Sequence, residues 1–326
     1  MDRALTRGAG KQAPAITISV LTFNRAALLQ ELLESLVPLL NDDLELLVID
    51  NHSADATPRV VGDFLGRTSA SITSIRTEEN VGVGARNLGL KQARGDIVIC
   101  LDDDVFGIDA AAIATIRAAF GADPRLGAIN FKVIDARTHA VCNWVHHCEL
   151  ETYADAEFDT YEITEGAVAF RRCAVREAGW YPEHFFLSHE GPDLAFRLLN
   201  CGYRAIYRGD IVVRHCHATA GRQSWMSYYY DTRNQYWLAM RNLPVLYGLR
   251  YLARGQVSTA IYALRDGYFK YWLRAVRDGI AALPKIRRER RTVAAATMRV
   301  IRQIDSNQPS WVYMARKRLF RKQMRL

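Results

Sequence analysis

Apolar residues in the first 130 positions gather into five short runs separated by segments of a different period. "AITISVLTF" (15–23), "LELLVID" (44–50), "SITSIRT" (71–77), "DIVICL" (96–101) and "LGAINFKV" (126–133) are β-rich and bounded by polar turns. Runs of this length read as strands, most of them buried on both faces. Between them, "NRAALLQELLESLVPLL" repeats Leu28, Leu29, Leu32, Leu33 and Leu36 at helical spacing, with Pro38 near its end. "NHSADATPRVVGDFLG" reads as turn plus helix, "NVGVGARNLGLKQARG" as loop plus helix, and "IDAAAIATIRAAFGADP" as helix. Strand and helix alternate with short connections, which predicts an α/β fold with a doubly wound, mostly parallel sheet flanked by helices. Ligands of such sheets sit beyond the carboxyl ends of the strands. Here those ends read "TFNR", "DNHSAD", "TEENVGVGARN" and "DDDV".

From residue 134 the alternation weakens and the chain becomes aromatic, acidic and rich in histidine; beyond about 220 it turns helical and basic. The expected organisation is a flexible segment over 1–14, a ligand-binding α/β half over 15–133, a second half of the same domain over 134–220, and a basic, aromatic-rich helical region over 221–326. Charge follows this division. Residues 221–326 hold 22 Lys and Arg against 5 Asp and Glu, while residues 1–220 hold 21 against 30, giving the net +8. Such asymmetry points to two tasks.

The six cysteines are scattered without paired spacing, which argues against a disulfide framework and for a reducing compartment. "MDRALTRGAGKQAPA" lacks the apolar core of a signal peptide, and no uncharged apolar stretch reaches the length of a spanning helix. The expected location is the cytoplasm.

The candidate chemistry starts at "GDIVICLDDDVFG" (95–107), where a buried strand runs into three adjacent carboxylates with no cation beside them. Residues two apart on an extended chain project to one side, so Asp102 and Asp104 are expected to converge. Two hard oxygen donors there suit Mg²⁺ or Mn²⁺, which could also bridge to a diphosphate. An acidic helix cap or solvated turn is the alternative. "GVGARNLG" lacks the third glycine of a dinucleotide fingerprint and follows the third strand. "CNWVHHC" (142–148) matches no closed tetrahedral zinc pattern. His215 and His217 lie two apart and could face one side. Trp144, Trp180, Tyr181, Phe185 and Phe186 could wall a sugar site or fill the core. In the basic region, Tyr268, Tyr271, Trp272 and Ala275 share one helix face, with Lys270, Arg274 and Arg277 toward another. Such helices can lie on an anionic membrane surface. No nucleic-acid recognition motif accompanies the charge.

"ISVLTFNRAALLQELLESL", "LLVIDNHSADAT", "NVGVGARNLGLKQARGDIVICLDDDV", "GAVAFRRCAVREAGWYPEHFF" and "HEGPDLAFRLLNCGYRAIYRGDIVVRH" together resemble the family-2 glycosyltransferases of the GT-A fold, particularly their bacterial rhamnosyltransferase-like branch. The resemblance covers most of residues 15–217. It implies a nucleotide-sugar donor bound by the first half, and it makes "DDD" the DxD element. Asp104 would be the principal metal ligand, with Asp102 and Asp103 holding the metal's surroundings and the donor ribose. Asp50 and Asn51 would serve the nucleobase. Thr22, Asn24 and Arg25 would form the first nucleotide loop, and Arg86 and Asn87 would lie under base and diphosphate. His215 would complete the metal site.

The family's base comes from an "ED" pair at a helix start; here Gly191 stands where the Asp is common. Glu190 is the first choice for catalysis and Asp193 the second. The implied reaction is inverting transfer to a glycan or lipid-linked acceptor of the cell envelope, at the inner face of the membrane. A nucleotidyltransferase and a noncatalytic sugar-nucleotide or membrane adaptor are the rivals. The first would normally carry a Gly-rich, basic loop after the first strand, and "TFNR" lacks one.

Overall fold

The computed structural model describes residues 5–6, 14–67, 71–216 and 224–309; His217, most of 1–14 and the chain after 309 lie outside these. In chain order the first elements are β1 (Leu5–Thr6), β2 (Ile16–Thr22), α1 (Ala26–Leu36), β3 (Leu44–Asp50), α2 (Thr57–Arg67) and β4 (Ile72–Arg76). Then come α3 (Arg86–Gln92), β5 (Ile97–Asp102), β6 (Val105–Phe106), α4 (Ala110–Ala122), β7 (Leu126–Asp135), α5 (Leu150–Tyr153) and β8 (Glu157–Asp159). β9 (Ala167–Arg171), α6 (Arg172–Ala178), α7 (Glu190–Asn200) and β10 (Arg204–His215) precede a helical region. That region comprises α8 (Trp225–Asn242), α9 (Val245–Arg265), α10 (Phe269–Ala281), α11 (Leu283–Ile286) and α12 (Ala295–Asp305).

The strands form one sheet in the order β1-β4-β3-β2-β5-β9-β7-β10-β6, with β8 beside β10. β4, β3, β2 and β5 run parallel, and β9 is inserted antiparallel to both β5 and β7. The five apolar runs all become strands. They can be predominantly apolar because both faces of the sheet are covered, and the acid inside β3, Glu45, is paired with Arg94. On one face Ile18, Val48 and Ile99 meet Leu29, Leu32, Leu33 and Leu36 of α1 and Ile116 and Phe120 of α4. On the other, Leu47, Val98 and Phe170 meet Leu90, Val175, Leu194 and Phe196. α1 ends at Leu36 because Pro38 allows only a short 3₁₀ turn beyond it.

The helical region is part of this second core. Trp237, Leu238 and Leu243 of α8 and its following turn, and Met298, Ile301 and Ile304 of α12, join the same cluster. The aromatic face expected to be free for lipid is largely packed inward. Tyr228 stacks on Tyr268 with centroids 4.7 Å apart, Trp225 on Tyr271 at 5.0 Å, and the Trp272 indole donates to Thr259 at 3.1 Å. What lies outward instead is a stripe of Leu246, Leu249, Val257, Ile261 and Leu264 on α9, with Leu273 and Ile280 on α10, all exposed. Among the described residues no helix is long and apolar enough to cross a membrane.

Ile301 is fully buried, so Ile301→Ala is expected to lose about 2–5 kcal/mol in urea unfolding, with one transition retained. A loss below about 0.5 kcal/mol, typical of exposed surface sites, would show that α12 is not part of the core.

Candidate active site

The acidic cluster sits where β5 stops. Asp102 is the last strand residue, and the chain turns at Asp103 and Asp104 before entering β6. Backbone bonds pin this turn between three segments. Asp102 N–H donates to the Gly166 carbonyl, Asp103 N–H to Leu21 and Cys216 N–H to Asp104. Because the strand ends at Asp102, the two-residue alternation does not carry through, and the expected convergence of Asp102 with Asp104 is corrected. Asp103 and Asp104 lie together, bridged by Arg25 Nη1 at 2.9 and 2.5 Å. Asp102 turns to Arg86, with which it pairs. Thr22 Oγ1 donates to Asp103 at 2.7 Å, and His215 Nε2 lies 3.2 Å from Asp104 Oδ2.

The adjacent cations answer the repulsion among the acids. Burial raises Asp103 to about 6, with Arg25 and Thr22 opposing it. Burial pushes Asp104 the same way, but His215 and Arg25 outweigh it and leave that carboxyl below the ordinary value. Burial lowers His215, while its bonds to Asp104 and Cys142 and the acid charges lift it to about 9. Asp104 Oδ1 is buried and has no hydrogen-bond partner among the described residues. One carboxylate oxygen without a donor, beside an imidazole, fits Mg²⁺ or Mn²⁺, whose remaining positions are usually filled by water and substrate phosphate. No cluster of three His, Cys, Asp or Glu that could hold a metal by itself occurs among the described residues.

The remaining donor-side candidates line neighbouring strand ends. Asn24, at φ 54°, accepts from Ala54 N–H at 2.7 Å while its own N–H donates to Ser53 Oγ. It ties the loop after β2 to the loop after β3. Asp50 accepts from Ser53 N–H at 2.8 Å and lies 3.3 Å from Arg76. Asn51 is spent on Asn80, Gly82 and Val81 and so shapes the next loop. Arg86 opens α3 and is buried against Asp102. Asn87 bonds the backbone of Tyr181 in both directions, at 3.0 Å each, and reaches Glu183.

Further along, Glu190 opens α7 and is only 1% exposed. Asp193 is 0% exposed and takes donors from Arg197 (2.7 Å), Arg241 (2.8 Å) and Asn242 (2.6 Å). Burial raises its pKa, yet the two arginines and the Asn242 bond overcome this and leave it lowered. Asn234 of α8 donates to the carbonyls of Phe185, Leu187 and Ser188 and clamps the loop before α7. Arg233 adds a bond to Phe185 at 2.8 Å. Phe186, Ser188 and His189 in that loop all have positive φ, a concentration of backbone strain typical of functional segments.

Sequence reasoning missed Asn234, Arg241 and Asn242, because nothing in a helix pattern says which polar residue faces inward. Of the expected aromatic walls, Tyr181 and Phe185 are core, Trp144 packs edge-on to Tyr207 and Phe186 stacks on Tyr230. His146 is buried beside Thr160, and burial holds it near 3.

The family model for Glycosyl transferase family 2 matches residues 17–121, the β2–α4 half that carries the acids. The O-antigen chain rhamnosyltransferase RfbN of Salmonella typhimurium is 28% identical over 225 residues, covering 66% of this chain and 70% of its own length. WbaN of Salmonella anatum, also an O-antigen chain rhamnosyltransferase, is 27% identical with the same coverage. Among solved structures, the mannosyltransferase PcManGT of Pyrobaculum calidifontis, in complex with GDP-Man and Mn²⁺, superposes with a TM-score of 0.55 at 21% identity. That match covers 96% of this chain and 89% of that one. S. aureus TarS with UDP-GlcNAc gives a TM-score of 0.59 at 18% identity, covering 84% and 83%. The sheet order with its single inserted antiparallel strand is the GT-A arrangement, and the chain is a glycosyltransferase whose residues 17–121 match the family-2 model.

Asp193 ties α7 to α8. Asp193→Ala, which leaves Arg197 without a carboxylate and Arg241 with Glu289 alone, is expected to destabilise by about 3–5 kcal/mol. Its folded-state pKa lies below the ordinary 3.8. The contribution is therefore full above that value and is lost as pH falls through the folded-state value. Urea titrations of wild type and variant at several pH values check this. Equal stability throughout would remove the anchoring role.

Proposed function

We propose that the protein transfers one sugar, with inversion, from a nucleotide-sugar donor to a glycan or lipid-linked acceptor in cell-envelope polysaccharide synthesis, using Mg²⁺ or Mn²⁺. The observation that carries this reading is Asp104, with one oxygen on Arg25 and His215 and the other without a donor, at the end of the central strand. Asp104 and His215 would hold the cation. When bound, it supplies positive charge against the nucleoside diphosphate that leaves. Asp102 and Asp103, set by Arg86, Arg25 and Thr22, face the donor ribose. Asp50 and Asn51 serve the nucleobase, with Asn24 fixing the loop between them, and Arg86 and Asn87 underlie the diphosphate.

The acceptor oxygen attacks the anomeric carbon as the bond to phosphate breaks, and the electron pair of that bond stays with the diphosphate. The acceptor's proton passes to a carboxylate near the opening of α7; sequence points first to Glu190. Asp193 is better read as an anchor, since a base needs free lone pairs and a pKa nearer neutrality.

The curated relatives, both O-antigen chain rhamnosyltransferases, support an envelope glycan as acceptor. We further propose peripheral association with the cytoplasmic face of the membrane through 221–326. The stripe Leu246, Leu249, Val257, Ile261 and Leu264 is flanked by exposed Arg250, with exposed Lys270, Arg274 and Arg277 on the neighbouring helix. Apolar and cationic groups interleaved on one surface favour anionic lipid over nucleic acid.

The donor reading is tested by melting the protein with a panel of UDP, GDP and dTDP sugars and Mn²⁺. A ligand at 100 times its Kd adds about 2.7 kcal/mol, and Asp104→Ala should abolish the metal-dependent part of that gain. Stabilisation unchanged by EDTA would count against the metal. The membrane reading is tested with Leu246→Ser/Leu249→Ser and vesicles containing phosphatidylglycerol. Burying a Leu contributes about 1.5–3 kcal/mol, so binding should fall at least tenfold with donor binding intact. Unchanged vesicle binding would reassign the stripe.

A further inference from the structure

Gly191, the second residue of α7, has no side chain for a structural reason. A Cβ built there would lie 2.2 Å from Glu165 Oε1 and 2.5 Å from the Ile163 carbonyl oxygen. The carboxylate of Glu165 therefore occupies the space a side chain at 191 would need, next to Glu190. Glu165 reaches this point from a tight turn between Thr164 and Ala167, closed by the Ala167 N–H to Thr164 carbonyl bond. Gly166, the third turn residue, has φ +90°, as in a type II turn. A Cβ on Gly166 would lie 2.4 Å from Asp102 Oδ2, so the turn packs directly on the donor-side acids. Glu165 thus stands between the acid cluster and the opening of α7. It is half-buried, whereas Glu190 is closed off at 1%.

We propose that Glu165 is the catalytic base of the transfer, taking the acceptor's proton in the position that the absent side chain of Gly191 leaves to it. The inference rests on the glycosyl-transfer reading above. The balance is simple: the O–H proton passes to a Glu165 oxygen, the acceptor oxygen bonds the anomeric carbon, and the carbon–oxygen bond to the diphosphate breaks with its electrons on the leaving group. Glu190 is the chain neighbour of the glycine whose side-chain space Glu165 fills. Burial raises the Glu165 carboxyl to about 7, with Arg86 opposing this and Glu162 and Asp102 adding to it. That is the range in which a base works best near neutral pH.

The test uses full-length wild type, Glu165→Gln, Glu165→Ala and Glu190→Gln with the sugar nucleotide that most stabilises wild type, following its Mn²⁺-dependent hydrolysis with water as acceptor. Glu165→Gln is expected to lose about a hundredfold or more in turnover while keeping the wild-type melting shift with nucleotide. Formate, a small carboxylate able to enter the space vacated in Glu165→Ala, should restore turnover severalfold. Turnover of Glu165→Gln within about threefold of wild type overturns the assignment. So does a loss of turnover that comes with loss of the nucleotide shift, or one that formate does not relieve. A wild type that binds nucleotide but hydrolyses no donor sinks the transfer reading itself, and the role of Glu165 with it.

Discussion

The architecture turns on one electrostatic constraint: three consecutive carboxylates at the end of the central strand must be neutralised. Two unit charges 4 Å apart near a protein surface interact by about 4 kcal/mol, and burying an unpaired acid is more costly still. The chain meets this by bringing cations from three distant segments. Arg25 comes from the loop after β2, Arg86 from the start of α3, and His215 from the end of β10. Each ion pair also fixes a strand end, so the charge balance and the geometry of the cleft are one feature.

The setting of α7 against α8 follows from a second buried carboxylate. Asp193 holds Arg197 and Arg241 out of water, which locks α7 to α8. Once α8 is fixed, Asn234 can hold the carbonyls of Phe185, Leu187 and Ser188 in the loop before α7. The segment that opens on Glu190 is thereby set by the helical region rather than by the sheet. A basic, aromatic-rich helical stretch of the chain thereby holds the loop before α7.

The strands were legible because burial on both faces leaves a continuous apolar run; Leu44–Asp50 matches its run residue for residue. The acids were legible as a cluster, but their arrangement was not. Alternation assumes an extended chain, and the strand ends one residue too early for it. The cations were hidden because Arg25 lies 78 residues from Asp103, Arg86 lies 16 from Asp102 and His215 lies 111 from Asp104, and nothing local marks such pairings. For the same reason β9, antiparallel between two runs that follow the βα pattern, does not announce its direction. The aromatic face of α10 shows the limit of periodicity. The pattern finds a face correctly, but not whether it meets lipid or α8.

The excess positive charge of 221–326 illustrates why composition needs structure before it becomes function. Arg241 is consumed by Asp193 and Glu289, Arg290 donates to the carbonyls of Met240 and Leu243, and Arg233 holds Phe185. These arginines are internal mortar. Another set, Arg250, Arg274 and Arg277, lies exposed around Leu246, Leu249 and Leu273. A guanidinium bonded to backbone carbonyls is unavailable to a phosphate, whereas an exposed one beside leucine offers charge and apolar area together. Exposed cations of this second kind keep their charge for a partner, whereas the internal ones have spent it on the fold.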